Sequence, residues 1–391
     1  MYAHEYKYQD GGLIMDQKFQ PLFESLTFPN QAEIRNRFVL APLTHVSSND
    51  DGSISDVEID YMRQRSKDVG LAISAASNVN DVGKAFPGQP SVAHDSNMDG
   101  LKRLAQAMKE NGAKAIVQIH HGGAQALPQL TPDGDVVAPS EIDLKSFGDP
   151  KEHHARPITE EEIEQTIKDF GEATRRVIEA GFDGVEIHGA NHYLIHQFVS
   201  PYYNRRDGQW GEDHLLFPMR VVDEVTQTVQ QHADDDFIVG YRFSPEEPES
   251  PGISMEITEQ LVKALIEKPL DYLHASLMDI ESPTREGKYK DIQRVELLHK
   301  WIDGKMPLIG IGSIFTAEDA LKAIQSGNVE LIALGREILL DYRFVEKIKD
   351  GRTDEIISQY DPDREDRHNL PPKLWKQFDD GFYPLPRTDG K

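Results

Sequence analysis

The sequence predicts an α/β protein built as a (β/α)8 TIM barrel, and three observations carry that expectation. Eight short, continuous apolar runs recur along the 391 residues; successive runs are separated by at least one stretch with helical period; and no linker-like stretch divides the chain. Parallel strands buried on both faces read as uninterrupted apolar runs, and each parallel pair needs a crossover, usually a helix. Such a barrel takes ~250 residues and leaves the surplus to loops and termini. The expected organisation is a single barrel domain over 21–350, preceded by an N-terminal extension over 1–20 and followed by a C-terminal tail over 351–391.

The runs are Arg37 to Ala41, Leu71 to Ala75, Ala115 to Ile119, Gly184 to His188, Phe237 to Arg242, Tyr272 to Ala275, Pro307 to Ile311 and Leu331 to Leu334. Between them, Ser55 with Glu58 and Thr159 with Glu162 have capping-box spacing, in which each side chain satisfies a backbone donor at a helix start. Ile163, Ile167, Phe170 and Val177 follow the second box on one helical face. Leu101, Leu104, Ala105 and Met108 form another such face, which stops at Gly112, an expected left-handed cap. Thr316 and Asp319 open a helix expected to bury Leu321 and Ile324. The longest connection, Gly122 to Pro157, is rich in Pro, Gly and Asp and follows the third run; a second, Pro201 to Pro218, follows the fourth. Both are expected to be lid or binding loops at the carboxyl ends of strands, the face where barrel enzymes carry their sites.

Composition narrows the function. With 67 acidic against 42 basic residues the formal charge is -25, which repels nucleic acid and anionic membrane surfaces. No run of ~18 apolar residues exists, so no membrane helix is expected. The absence of cysteine excludes disulfides, thiolate nucleophiles and Cys-ligated zinc or iron–sulfur clusters. The first twenty residues lack the apolar core of a secretory signal, and a cytoplasmic protein is expected.

The candidate chemistry lies at the strand ends. The seventh run passes into Gly310-Ile311-Gly312-Ser313-Ile314 and the eighth into Leu334-Gly335-Arg336. Glycines there admit backbone amides to a phosphate, Ser313 adds a hydroxyl and Arg336 a bidentate cation. In the fourth, Glu186 and His188 share the inward face. His188 and Asn191, three apart, offer two donors to one oxygen, which stabilises a developing enolate, and Tyr193 offers a phenolic proton. His188, His192 and His196 stand four apart, a spacing that can hold a metal. No His-x-His in the first run and no nearby carboxylate complete a ligand set, so no metal is expected. The other strand ends carry Thr44, Gln118, Arg242, Ser276 and Gly312; Glu246 and Glu247 on the following loop keep a barrel hydrolase open, and the phosphate cradle alone also suits a ligand-binding barrel without redox turnover. A donor-rich site without a strong nucleophile suits a protein whose cofactor performs the reaction.

These residues resemble the Old Yellow Enzyme family of flavin-dependent ene-reductases, in its bacterial NADH-dependent flavin oxidoreductase branch. The resemblance runs from about Pro21 to Lys347. It is most specific over Val185 to Asp207, with His188-Gly-Ala-Asn191, Tyr193-Leu-Ile-His-Gln-Phe-Val-Ser-Pro201 and Asn204-Arg-Arg-Asp207, supported by Ala41-Pro-Leu-Thr44, Val117-Gln118, Val239-Gly-Tyr-Arg242 and Ala333-Leu-Gly-Arg336. It implies an FMN at the barrel mouth, lined by Ala41, Pro42 and Leu43. Thr44 and Ala76 would lie near the ring, Gln118 at its pyrimidine end, Arg242 where negative charge gathers, and Gly312, Ser313, Gly335 and Arg336 on the phosphate. It further implies NADH or NADPH as hydride donor and an α,β-unsaturated carbonyl as acceptor, with donor and acceptor using one pocket in turn. His188 and Asn191 would hold the acceptor's oxygen and Tyr193 would protonate its α-carbon. Thr44 stands where one branch carries a cysteine, and His192 where glycine is common, which bears on substrate scope. A homo-oligomer, with the tail near Phe382 to Arg387 reaching a neighbouring site, is a further expectation.

Overall fold

The computed structural model describes residues 8–9, 12–147, 149, 151–379 and 384–390. Eight parallel strands close into a barrel: β1 (Phe38–Leu40), β2 (Leu71–Ile73), β3 (Lys114–His120), β4 (Gly184–Gly189), β5 (Ile238–Phe243), β6 (Tyr272–Ala275), β7 (Leu308–Ile311) and β8 (Leu331–Leu334). Each pairs with the next, and β8 closes on β1 with Ile332 opposite Phe38 and Leu334 opposite Leu40. All eight lie on the apolar runs read from the sequence, because strands covered on both sides have no solvent face to interrupt them. The two-residue strand Ser77–Asn78 also pairs with the end of β3.

The helices α1 (Asp56–Ser66), α2 (Met98–Lys109), α3 (Glu160–Glu179), α4 (Leu216–His232), α5 (Met255–Leu265), α6 (Arg294–Ile302), α7 (Ala317–Gln325) and α8 (Phe344–Lys349) form the outer layer. The capping box of α3 is complete, and its Ile163, Ile167, Phe170 and Val177 are buried as the periodicity predicts. The box at Ser55 is only half made. Ser55 caps α1, but Glu58 turns away to His45 (3.1 Å) and to the Ser48 hydroxyl (2.6 Å), because a buried carboxylate gains more from those donors than from one backbone amide. In α7 the buried positions are Ala317, Ala320 and Ala323, while Leu321 and Ile324 are only half-buried, a correction to the expected face.

The barrel floor is sealed. A hairpin of Leu26–Thr27 and Glu33–Ile34 puts Leu26, Phe28 and Ile34 into the inner core with Ile73, Ile116, Tyr272 and Ile309. Among the described residues, the mouth cavity lies at the carboxyl end of the strands. There the Gly122–Pro157 connection is not a plain loop: Val137–Ala138, Ile142–Lys145 and Glu152–Pro157 pair into a small sheet over a core of Ala124, Ala126, Val136, Ala138 and Ala155. The C-terminal segment packs on the barrel through Tyr360, Leu374 and Phe378. It then returns to pair Tyr360 with Arg387. The described part of the tail, Pro384 to Arg387, thus lies on its own chain; Phe382 lies outside the described residues.

Candidate active site

A cavity of about 750 Å³ opens at the barrel mouth. Pro42, Leu43, Thr44, Asn191, Tyr193, Arg242, Gly312, Ser313, Gly335 and Arg336 line it, as does Phe147 from the inserted sheet. Ala41, Ala76, Gln118 and His188 are buried and are not among its lining residues.

The fourth strand end is built on a sharp turn. Asn191 and His192 both take left-handed backbone angles (φ 58° and 62°), which asparagine and histidine tolerate better than most residues. The amide side chain of Asn191 is fixed by two hydroxyls: Ser276 donates to its Oδ1 at 2.8 Å and Ser244 at 3.3 Å. Ser244 also accepts the Asn191 backbone N–H at 2.9 Å. With its oxygen satisfied, Asn191 keeps its Nδ2 donors for the cavity.

His188 is 3% exposed, and the Ala190 N–H donates to its Nδ1 at 3.2 Å. Burial, with His120 and Arg242 nearby, holds its pKa well below the usual imidazole range. The ring is therefore neutral, with its proton on Nε2. Tyr193 packs its ring edgewise on His120 (4.2 Å between centroids) and His188 (5.1 Å). Burial pushes its phenol up to about 12, so it stays protonated at neutral pH.

Beneath them lies a charged layer. Burial by itself raises the Glu186 carboxyl, but His274, Arg242 and Gln118 outweigh it and hold the group ionised. Gln118 donates to one oxygen at 2.7 Å and His274 to the other at 2.9 Å. Burial also lowers Arg242, against the opposing pull of Glu186. Arg242 lines the cavity, and its Nε is buried with no protein partner. Such an orphaned cationic donor marks a place for an electronegative ligand atom.

At the far end, Gly312 takes φ 119°, and a Cβ there would stand 2.6 Å from the Asp279 nitrogen and the Met278 carbonyl carbon. Only glycine fits that approach. Arg336 donates to Met278 O (2.8 Å), Pro384 O (3.2 Å) and Ser313 Oγ (3.3 Å) and lies over the Phe315 ring. A cradle of this kind, an orphaned guanidinium and a cavity between them fit FMN: Gly312, Ser313, Gly335 and Arg336 would hold its phosphate, and Arg242 would face its ring system.

One expectation is corrected. A carboxylate does complete a set with the histidines: Glu247 Oε2 accepts His196 Nε2 at 2.7 Å and stands 3.6 Å from His192 Nδ1. His188 is not part of that group. The three ligand atoms lie within 4.8 Å of one another. Glu246, the other loop carboxylate, is paired with Arg294 at 2.6 Å. Sequence reading also passed over His120, Phe147, Ser244 and the orienting role of Ser276. His120 and Phe147 carried no motif, and the serines meet Asn191 only through the closure of the barrel.

The model of the NADH:flavin oxidoreductase / NADH oxidase family matches residues 21–355. The probable NADH-dependent flavin oxidoreductase YqiG of Bacillus subtilis is 51% identical over 365 residues, covering 93% of this chain and 96% of that one. The NADH:fumarate oxidoreductase of Klebsiella pneumoniae is 37% identical over 91% of this chain, which spans only 38% of that relative. In structure, the Old Yellow Enzyme homologue of Zymomonas mobilis superposes with a TM-score of 0.76 at 23% identity, over 91% of this chain and 99% of that one. Among the described residues no helix is long and apolar enough to cross a membrane. The chain has the fold of the Old Yellow Enzyme homologue, belongs to the NADH:flavin oxidoreductase / NADH oxidase family and is an NAD(P)H-dependent, FMN-containing oxidoreductase.

Proposed function

We propose that the enzyme reduces activated carbon–carbon double bonds, those of α,β-unsaturated carbonyl compounds, with hydride drawn from NADH or NADPH. The observation that carries this reading is the pair of unspent donors at the end of β4: Nε2–H of a neutral His188, and Nδ2 of an Asn191 whose oxygen is already occupied by Ser244 and Ser276. FMN, when bound, supplies a ring system that both accepts and donates hydride, so the protein needs no nucleophile of its own.

The protein's part is to bind and polarise. His188 and Asn191 donate to the acceptor's carbonyl oxygen and withdraw electrons from its β-carbon, where hydride arrives. Neutral Tyr193 then gives its proton to the α-carbon, completing a two-electron reduction. Arg242 sets positive charge on the cavity wall, where negative charge develops. Thr44, Pro42 and Leu43 line the opposite side, and Ala76 and Gln118 support the wall. The sealed floor leaves one entrance for donor and acceptor.

The test is anaerobic NADH and NADPH oxidation with a cyclic enone. The paired substitution His188→Ala and Asn191→Ala is expected to lower turnover by at least ~100-fold while the protein remains yellow. Unchanged turnover in a flavin-loaded variant would overturn the assigned roles.

A further inference from the structure

Beside the mouth, two buried polar atoms face each other without a partner. His192 Nδ1 and Glu249 Oε2 lie 3.9 Å apart, too far for a hydrogen bond, and neither finds another group. Glu247 Oε2 is 3.6 Å from the same His192 nitrogen, and His196 Nε2 is 2.7 Å from that Glu247 oxygen. Buried polar atoms are nearly always satisfied, and orphans clustered in one spot call for an ion or a water between them. Two imidazoles and two carboxylates are also the donor set that zinc-class ions take.

We propose that His192, His196, Glu247 and Glu249 hold one divalent transition-metal ion of the zinc class. Tetrahedral coordination at ~2.0–2.2 Å separates neighbouring ligand atoms by ~3.4 Å. Among His192, His196 and Glu247 the spacings of 2.7 and 3.6 Å lie on both sides of that value, while Glu249 Oε2, 3.9 Å from His192 Nδ1, stands outside that compact set and turns in as the fourth ligand.

The surroundings favour a dication. Glu247 is already held in orientation: its Oε1 accepts the Ser200 hydroxyl and the Ile253 N–H. Such outer contacts are what fix a carboxylate ligand. The two carboxylates repel each other, and a dication between them offsets that repulsion against the opposing charge of Arg285, which acts on both His192 and Glu249. Tyr203 packs its ring against both histidines.

The ligands come from two loops, His192 and His196 after β4, and Glu247 and Glu249 after β5. An ion there ties the two loops together one residue from Asn191 and explains why a histidine is held at φ 62°. The role is structural, and it does not depend on which acceptor the enzyme reduces.

The test uses the flavin-loaded enzyme, stripped by a chelator and dialysed to equilibrium against Zn²⁺. One tightly bound equivalent per chain is expected, and His192→Ala should weaken it by at least ~tenfold, with every other histidine unchanged. Zn²⁺ should raise the thermal midpoint of the parent and not of His192→Ala. Co²⁺ in its place should show the visible bands of a four-coordinate ion, to the red of the flavin. Because Glu247→Gln risks misfolding, Glu249→Gln serves as the second variant and is also expected to bind more weakly. No stoichiometric zinc, or binding that neither His192→Ala nor Glu249→Gln alters, would overturn the proposal.

Discussion

The hydroxyl of Ser276, at the end of β6, donates to the Oδ1 of Asn191, at the end of β4, across 2.8 Å. The end of one strand thereby dictates which way an amide two strands away faces. Ser276→Ala together with Ser244→Ala frees that amide to rotate. Two hydrogen bonds of ~1 kcal/mol each are lost, so acceptor turnover should fall by roughly 30-fold. Single-turnover measurement of the two half-reactions checks it: reduction by NADH should be nearly unchanged and reoxidation by an enone slowed.

Tyr193 yields a pH prediction. Its phenol is raised to about 12, so the proton-bearing form persists as pH rises past the ordinary phenol value near 10. Acceptor reduction should be level between about pH 7 and 9, and Tyr193→Phe should lower it for enones that need protonation at the α-carbon. A pH–rate profile with a solvent deuterium comparison tests both; a decline centred well below 10 that vanishes in Tyr193→Phe would contradict the assignment.

The phosphate cradle can be probed at Gly312. An alanine there places its Cβ 2.6 Å from backbone atoms of Met278 and Asp279, at a φ of 119°. Strain of ~1–3 kcal/mol corresponds to a loss of FMN affinity of roughly tenfold or more. Arg336→Ala removes a charge-assisted contact and should act in the same direction. The ratio of flavin to protein after gel filtration, followed by titration with FMN, measures both.

Acid stability should depend on the start of α3. Arg156 donates to both oxygens of Glu162 and holds its carboxyl down to about 2 from the ordinary 4.5. The sign follows from that depression: the contribution is complete above pH 4.5 and is lost as pH falls toward 2. The Glu162 side chain is 40% exposed, so solvent screening keeps the contribution to ~1 kcal/mol or less. Urea unfolding of Glu162→Gln should therefore show a small deficit at pH 7 that narrows at pH 4 and below.

Much of this architecture was legible because parallel strands write themselves as apolar runs and because barrels gather their chemistry at strand ends. Val185 through Tyr193 could be read in order, and Gly312 and Arg336 line the cavity at the strand ends where they were expected. What escaped were features made by distance along the chain. Ser244 meets Asn191 across 53 positions and Ser276 across 85, and Glu247 meets His196 across 51. No periodicity signals such contacts. The strands of the Gly122–Pro157 insertion are two to six residues long, too short to outweigh the prolines and glycines around them. The α7 face was misjudged because its small alanines pack the barrel more closely than leucine or isoleucine could.

The return of the C-terminal segment has a practical side. Pro384 lines the mouth cavity and accepts a hydrogen bond from Arg336. Altering the segment around it would reshape the mouth and free one of that arginine's donors. Preparations changed there should be checked for lost colour before any weak activity is blamed on the catalytic groups.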